Sequence, residues 1–204
     1  MKPSYRFYRA CFRLARAVIG IFYRISVKGF ENIPDGGALI CANHSSNLDP
    51  FLVAFAFGIG KHLHIIAKAE LFRIPVISQI LSKLGMISVD RGILDISTIK
   101  KTYRLFDNNK MVVIFPEGTR VRADKADDVS SISAKSGAVK LAERKGVPIV
   151  PVFIPRKKPV FKRVPVTIGE PYNILKQEGK RTAQEYEHLA ADMMERISVL
   201  GKQI

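Results

Sequence analysis

Short apolar runs separated by helix-like segments recur along this 204-residue chain, and that rhythm limits its fold more than any single residue does. The runs are Arg24 to Lys28, Ala38 to Cys41, Leu63 to Ala67, Met86 to Val89, Met111 to Phe115, Ile149 to Ile154 and Val164 to Ile168. Their Val, Ile and Phe content suits a pleated sheet, which predicts about seven strands. Phe51 to Phe57, Pro75 to Leu84, Asp95 to Asp107 and Ile132 to Lys145 read as helices between them. A last helix follows Thr182, which has capping-box spacing to Glu185; Tyr186, Leu189, Met193, Ile197 and Leu200 form its apolar stripe. Helical crossovers between strands of one direction cover both faces of a sheet. The expected fold class is therefore α/β: a single domain with a mixed, mostly parallel sheet covered by helices. With 47% hydrophobic residues the chain can bury such a core, and neither a low-complexity linker nor an internal repeat divides it.

Residues 1–24 read as an amphipathic helix preceding the main domain, 25–204. The first 28 residues hold seven basic residues and no acid, with Arg6, Arg9, Arg13 and Arg16 at helical spacing. Tyr5, Phe7, Tyr8, Phe12, Val18, Ile19, Phe22 and Tyr23 supply the apolar surface, the pattern of a helix lying on a membrane surface. The plainer alternative packs that apolar side on the domain and solvates the arginines. The longest uncharged stretch, Ala17 to Tyr23, is seven residues, far below the roughly 20 that a membrane span needs. An organelle transit peptide is compositionally possible but disfavoured by the strand-like Ile25 to Lys28 that follows almost at once, and the scattered arginines disfavour a secretory signal.

Thirty-three Lys and Arg against 18 Asp and Glu give a formal charge of +15, which favours a polyanionic partner. Aromatic residues concentrate in the basic N-terminal helix and the apolar runs, so an anionic membrane is expected and no nucleic acid. Cys11 and Cys41 form no C-x-x-C and have no His at ligand spacing, and His44, His62, His64 and His188 lack a ligand pattern; no metal is expected. His62 and His64 alternate as strand-edge residues.

Two polar segments follow strand-like runs: Asn43-His44-Ser45-Ser46-Asn47-Leu48-Asp49, and Phe115-Pro116-Glu117-Gly118-Thr119-Arg120. In parallel α/β sheets, sites gather at the carboxyl ends of strands, which puts both segments on one edge. On a straight helix His44 and Asp49 would lie about 140° apart, so they can cooperate as base and orienter only from a loop. Alternatively, Asp49 simply caps a helix starting at Pro50 and His44 is structural. Gly118 permits close backbone approach to a ligand, and the planar fork of Arg120 suits phosphate oxygens. Glu117 either holds Arg120 or accepts a hydrogen bond from a substrate hydroxyl; the plain alternative is a Gly turn with two exposed charges. Cys41 and Ser45, close to His44, leave a covalent intermediate open.

With NHSSNLD at 43–49, KAELFRIP at 68–75, GMISVDR at 85–91, FPEGTR at 115–120 and VPIVPV at 147–152 in that order, the chain resembles the glycerolipid acyltransferases. Lys135 and Gly137-Ala138 also look like the segment that follows the family's arginine motif. The resemblance implies an acyltransferase on the cytoplasmic face of a membrane, peripheral or monotopic. It would move a fatty acyl group from a coenzyme A or acyl carrier protein thioester, with no other cofactor, to a lysophospholipid hydroxyl. For 1-acyl-sn-glycerol-3-phosphate the product is phosphatidic acid, a step of phospholipid biosynthesis. By the same resemblance His44 is the general base and Asp49 its orienter. Arg120 binds the acceptor phosphate with help from Lys68, Glu117, Gly118 and Thr119 shape the pocket, and Ile74, Pro75 and Arg91 line the acceptor site. The run Arg156 to Arg163 is expected to meet lipid headgroups or acyl carrier protein, or to be a solvated loop. Ser78, Val121 and Ala134 depart from the family's frequent Gly, Ser and Phe. Those departures keep another lysolipid or an amino-acid lipid open as acceptor. A non-enzymatic basic protein that binds membrane or nucleic acid is the remote alternative.

Overall fold

Every one of the apolar runs forms a strand in the computed structural model, which describes residues 3–89, 96–117, 136–177 and 179–203. The strands are β1 (Arg24–Lys28), β2 (Leu39–Ala42), β3 (Leu63–Lys68), β4 (Ile87–Val89), β5 (Met111–Ile114), β6 (Ile149–Phe153) and β7 (Arg163–Ile168). They form one seven-stranded sheet in the order β1-β7-β6-β2-β5-β3-β4. All neighbours are parallel except β6 and β7, which pair antiparallel through Val152 with Ile168 and Phe153 with Thr167. The expected mixed, mostly parallel sheet is what forms.

The helices are α1 (Tyr5–Phe22), α2 (Asp49–Phe57), α3 (Ala69–Phe72), α4 (Pro75–Lys83), α5 (Ile96–Asp107), α6 (Gly137–Lys145) and α7 (Ala183–Gly201). The single turn α3 goes beyond the sequence reading; it is too short to show periodicity, and the helix restarts at Pro75, whose fixed φ suits a first-turn position. The expected beginnings of two helices, Asp95 and 132–135, lie outside the described residues. At α7 the capping box forms: Thr182 accepts from the Glu185 N–H, and the Glu185 carboxylate accepts from the Thr182 N–H.

β2 shows how the sheet divides the core. Ile40 and Ala42 join Leu52, Val53 and Phe57 of α2 on one face. Leu39 and Cys41 join Phe106 of α5, Val139 and Ala142 of α6, and Met193 and Ile197 of α7 on the other. A strand buried on both faces has no polar alternation to show, which is why these runs read as continuously apolar.

α1 is split in a way the sequence reading did not foresee. Tyr8 is buried, Phe12 and Ile19 are half-buried, and the Phe12 ring meets Phe55 of α2 edge-on at 5.2 Å. Leu14, Val18 and Ile21 instead face solvent at 68%, 50% and 66% exposure. Arg6, Arg9, Arg13 and Arg16 are exposed on the remaining side. The plain packing alternative is thus realised by one apolar stripe while a second remains uncovered.

Candidate active site

The chain leaves β2 through Asn43, a buried amide that extends the sheet with its side chain. Its Nδ2 donates to the Ile154 carbonyl at 2.7 Å and its Oδ1 accepts from the Ile154 N–H at 2.8 Å. This two-way bond pins the ends of β2 and β6 together and delivers the next residue, His44, to the carboxyl edge of the sheet.

His44 and Asp49 meet as a couple. Nδ1 of His44 lies 2.9 Å from Oδ2 of Asp49, and the same oxygen accepts the N–H groups of Ser45 and Ser46 at 2.6 and 2.7 Å. Asp49 therefore reaches back into the loop, and the cap position of α2 has no side-chain hydrogen bond. The capping alternative is replaced by one in which the carboxylate builds the loop that carries the imidazole. Because a carboxylate only accepts, Nδ1 must carry the proton, leaving the lone pair on Nε2. The imidazole stacks on Phe115, with centroids 4.3 Å apart, which fixes its plane. Burial alone pushes the Asp49 carboxyl up, but the hydrogen bonds from His44 and Lys158, the Lys158 charge and the Ser45 amide outweigh it and hold the carboxyl below its ordinary range.

Glu117 follows β5, the other neighbour of β2, and is buried. Its Oε2 accepts the backbone N–H of His44 at 3.2 Å, and its Oε1 faces Arg156 Nη2 at 3.3 Å. Burial raises this carboxyl, opposed by the Arg156 charge and the His44 amide. Glu117 is thus a tie between the ends of β2, β5 and β6. The expected companions Gly118, Thr119 and Arg120, together with Arg91 and Lys135, lie outside the described residues. Lys68 ends β3 on the same edge, separated from β2 by β5, and among the described residues makes no hydrogen bond or ion pair with His44 or Glu117.

Two cations of the site escaped the sequence reading, which left 156–163 between a lipid-facing and a solvated loop. Lys158 is nearly buried, with its side chain 4% exposed, and its Nζ is 2.8 Å from Asp49 Oδ1. The same ammonium donates to Ser45 Oγ at 2.8 Å. With Arg156 on Glu117, each buried carboxylate of the site meets a cation among the described residues. A signal was present: this segment follows β6, which flanks β2, and Ile154, Arg156 and Lys158 alternate as a continuing strand would. Cys41, by contrast, is buried away in the core and burial pushes its thiol up, so it offers no nucleophile for a covalent route.

A family model described as Acyltransferase matches residues 24–155, from the first residue of β1 to just past β6. The chain belongs to the Acyltransferase family. It is 31% identical over 171 residues to the 1-acyl-sn-glycerol-3-phosphate acyltransferase of Bacillus subtilis, covering 80% of this chain and 81% of that protein. It is 32% identical over 154 residues to the protein of that name from Borreliella burgdorferi, covering 74% and 58% of the two. The chloroplastic enzyme of that name from Arabidopsis thaliana is 32% identical over 139 residues, 65% of this chain but 36% of that protein. The chain thus spans less than two thirds of the length of two of these three relatives. Its fold matches the crystal structure of the 1-acyl-sn-glycerophosphate acyltransferase of Thermotoga maritima with a TM-score of 0.68, 24% identity, and coverage of 98% of this chain and 79% of that one. The family match stops one residue before Arg156, so the cations of the β6–β7 connection lie beyond it.

Proposed function

We propose that this chain transfers a fatty acyl group from a coenzyme A or acyl carrier protein thioester to the free hydroxyl of 1-acyl-sn-glycerol-3-phosphate, giving phosphatidic acid. The observation that carries the reading is the His44–Asp49 couple, with Nδ1 engaged at 2.9 Å and the Nε2 lone pair left to take a proton. Relatives at about 30% identity bearing this enzyme's name supply the acceptor. In the reaction, Nε2 removes the hydroxyl proton as the acceptor oxygen attacks the thioester carbonyl carbon. Collapse of the tetrahedral adduct breaks the C–S bond, and the imidazolium returns its proton to the thiolate. No acyl group is carried on the protein. Asp49 keeps the tautomer and stabilises the transient imidazolium, as in hydrolase triads. Arg120, helped by Lys68, is the proposed ligand of the acceptor phosphate, with Arg91 and the Glu117-Gly118-Thr119 turn beside it. The work site is the cytoplasmic face of an anionic membrane, with α1 on its surface; among the described residues no helix is long and apolar enough to cross one.

The test is acyl transfer from a long-chain acyl thioester to 1-acyl-sn-glycerol-3-phosphate on vesicles. Wild type is expected to form phosphatidic acid, and His44→Ala to lower turnover by about 10²- to 10⁴-fold. Near-normal turnover by a folded His44→Ala protein refutes the base, and no product from folded wild type refutes the acceptor.

A further inference from the structure

We propose that Lys158 is a positioning residue for the base: it holds the Asp49 carboxylate aimed at His44 and offsets part of the negative charge beside the imidazole. The inference rests on the reading of His44 as the base. Asp49 is fully buried, and its Oδ2 is already shared by His44, Ser45 and Ser46. Its Oδ1 faces the Lys158 ammonium at 2.8 Å. A nearly buried ammonium is costly to desolvate, so its pairing with a buried carboxylate is a strong local constraint. The second bond, from Nζ to Ser45 Oγ at 2.8 Å, ties Lys158 to the loop between His44 and Asp49. Lys158 thus grips both the orienter and the loop that carries the base.

Charge accounting gives it a second role. Among the described residues, the His44 ring meets Asp49 from the start of α2 and its backbone N–H meets Glu117 after β5, and these two carboxylates in turn meet Lys158 and Arg156 from the β6–β7 connection. Negative charge beside an imidazole favours its protonated form, and a protonated imidazole cannot accept a proton from the acceptor hydroxyl. Arg156 offsets Glu117, and Lys158 offsets Asp49. The orienting hydrogen bond survives while part of the electrostatic pull toward the imidazolium is removed.

The experiment compares wild type with Lys158→Gln, Lys158→Met and Lys158→Arg in the full chain, checking each fold by thermal melting. Lys158→Gln retains an amide donor without the charge, so it separates charge from shape if Lys158→Met fails to fold. Turnover on vesicles is measured against pH. Lys158→Gln is expected to move the acid limb of the kcat profile up by about one pH unit and to lower kcat at neutral pH by about tenfold. The half-saturating acceptor concentration should change by less than about threefold, and Lys158→Arg should restore most of the turnover. Long-range 1H–15N imidazole spectra, assigned with His44→Gln, give a readout without substrate. The His44 titration midpoint should rise by the same amount in Lys158→Gln. An unchanged midpoint and profile in that variant overturns the proposal, and so does an isolated rise in acceptor half-saturation, which would make Lys158 an anion ligand. If wild type transfers no acyl group the proposed function falls, while the spectra still decide what Lys158 does to His44.

Discussion

Asp49 is the residue on which the site depends most, because its two oxygens meet four donor groups: the His44 ring, two backbone amides and the Lys158 ammonium. Asn cannot serve that set. Turned one way, its NH2 group faces the three donors now on Oδ2; turned the other, it faces an ammonium. Asp49→Asn should therefore cost about 3–5 kcal/mol at neutral pH, the usual cost of breaking a buried pair, besides disturbing the His44 tautomer. The pH dependence has a definite sign. The folded carboxyl is held below its ordinary range, so its contribution is complete above pH ~4 and fades as pH falls through the lower, folded value. Urea unfolding of both proteins should show their stability gap narrowing below pH ~4; a gap independent of pH would mean that Asp49 is not a buried anion. His44 and Asp49 were legible in sequence because they fall in one short motif after a strand. Lys158 was not: its partner is 109 positions away, and only the adjacency of β2 and β6 brings them together.

Elements were more legible than contacts, since a strand or helix declares itself in a local pattern. Packing between elements has no such signature, as His62 and His64 on β3 show. The sequence made them ordinary strand-edge residues, yet their rings stack at 4.6 Å, and Tyr8 of α1 lies over His62 at 4.2 Å. Each donates to a carbonyl after α4: His62 Nε2–H to Leu84 and His64 Nδ1–H to Gly85, both at 2.8 Å. Gly85 is required here, because it has a φ of +75° and a Cβ would press on the His64 ring. This packing joins α1, β3 and the end of α4. Burial lowers both imidazoles, His64 to about 4, so the folded chain binds fewer protons than the unfolded chain between that pH and the ordinary 6.5. Stability must then rise with pH across this window and be lost as pH falls, by as much as about 3 kcal/mol for His64. His64→Gln should be less stable at pH 7 but should lose less on acidification from pH ~6.5 to ~4. Parallel melting curves for the two proteins would contradict that assignment.

At the scale of the whole molecule, strand directions put the site and the C-terminal end of α1 at one edge. β2, β3, β4, β5 and β6 all end at the edge that carries His44. β7 runs against β6 and so begins there, and β1, parallel to β7, begins there too. α1 ends at Phe22, immediately before β1, after rising about 27 Å from the opposite edge, where Tyr5 and Tyr8 donate to the Ile59 and Lys61 carbonyls. Phe161 sits beside that end: its N–H donates to the Phe22 carbonyl at 2.6 Å, and the two rings lie 5.9 Å apart. Phe161 is 70% exposed and holds a left-handed φ of 64°, a conformation that disfavours a bulky side chain. The connection that seats Lys158 therefore ends in an exposed aromatic next to the exposed apolar side chains of α1. Water solvates this band poorly, whereas a bilayer interface would bury it with the arginines near the headgroups and the site edge facing the lipid acceptor. Replacing Leu14, Val18 and Ile21 by Ser should weaken binding to anionic vesicles by at least about tenfold. The melting temperature should hold within a few degrees, because these side chains pack on little. Raising salt should weaken wild-type binding further by screening the arginines. Unchanged vesicle binding by the triple Ser protein would leave the net charge as the sole attraction and remove the apolar band from the membrane contact.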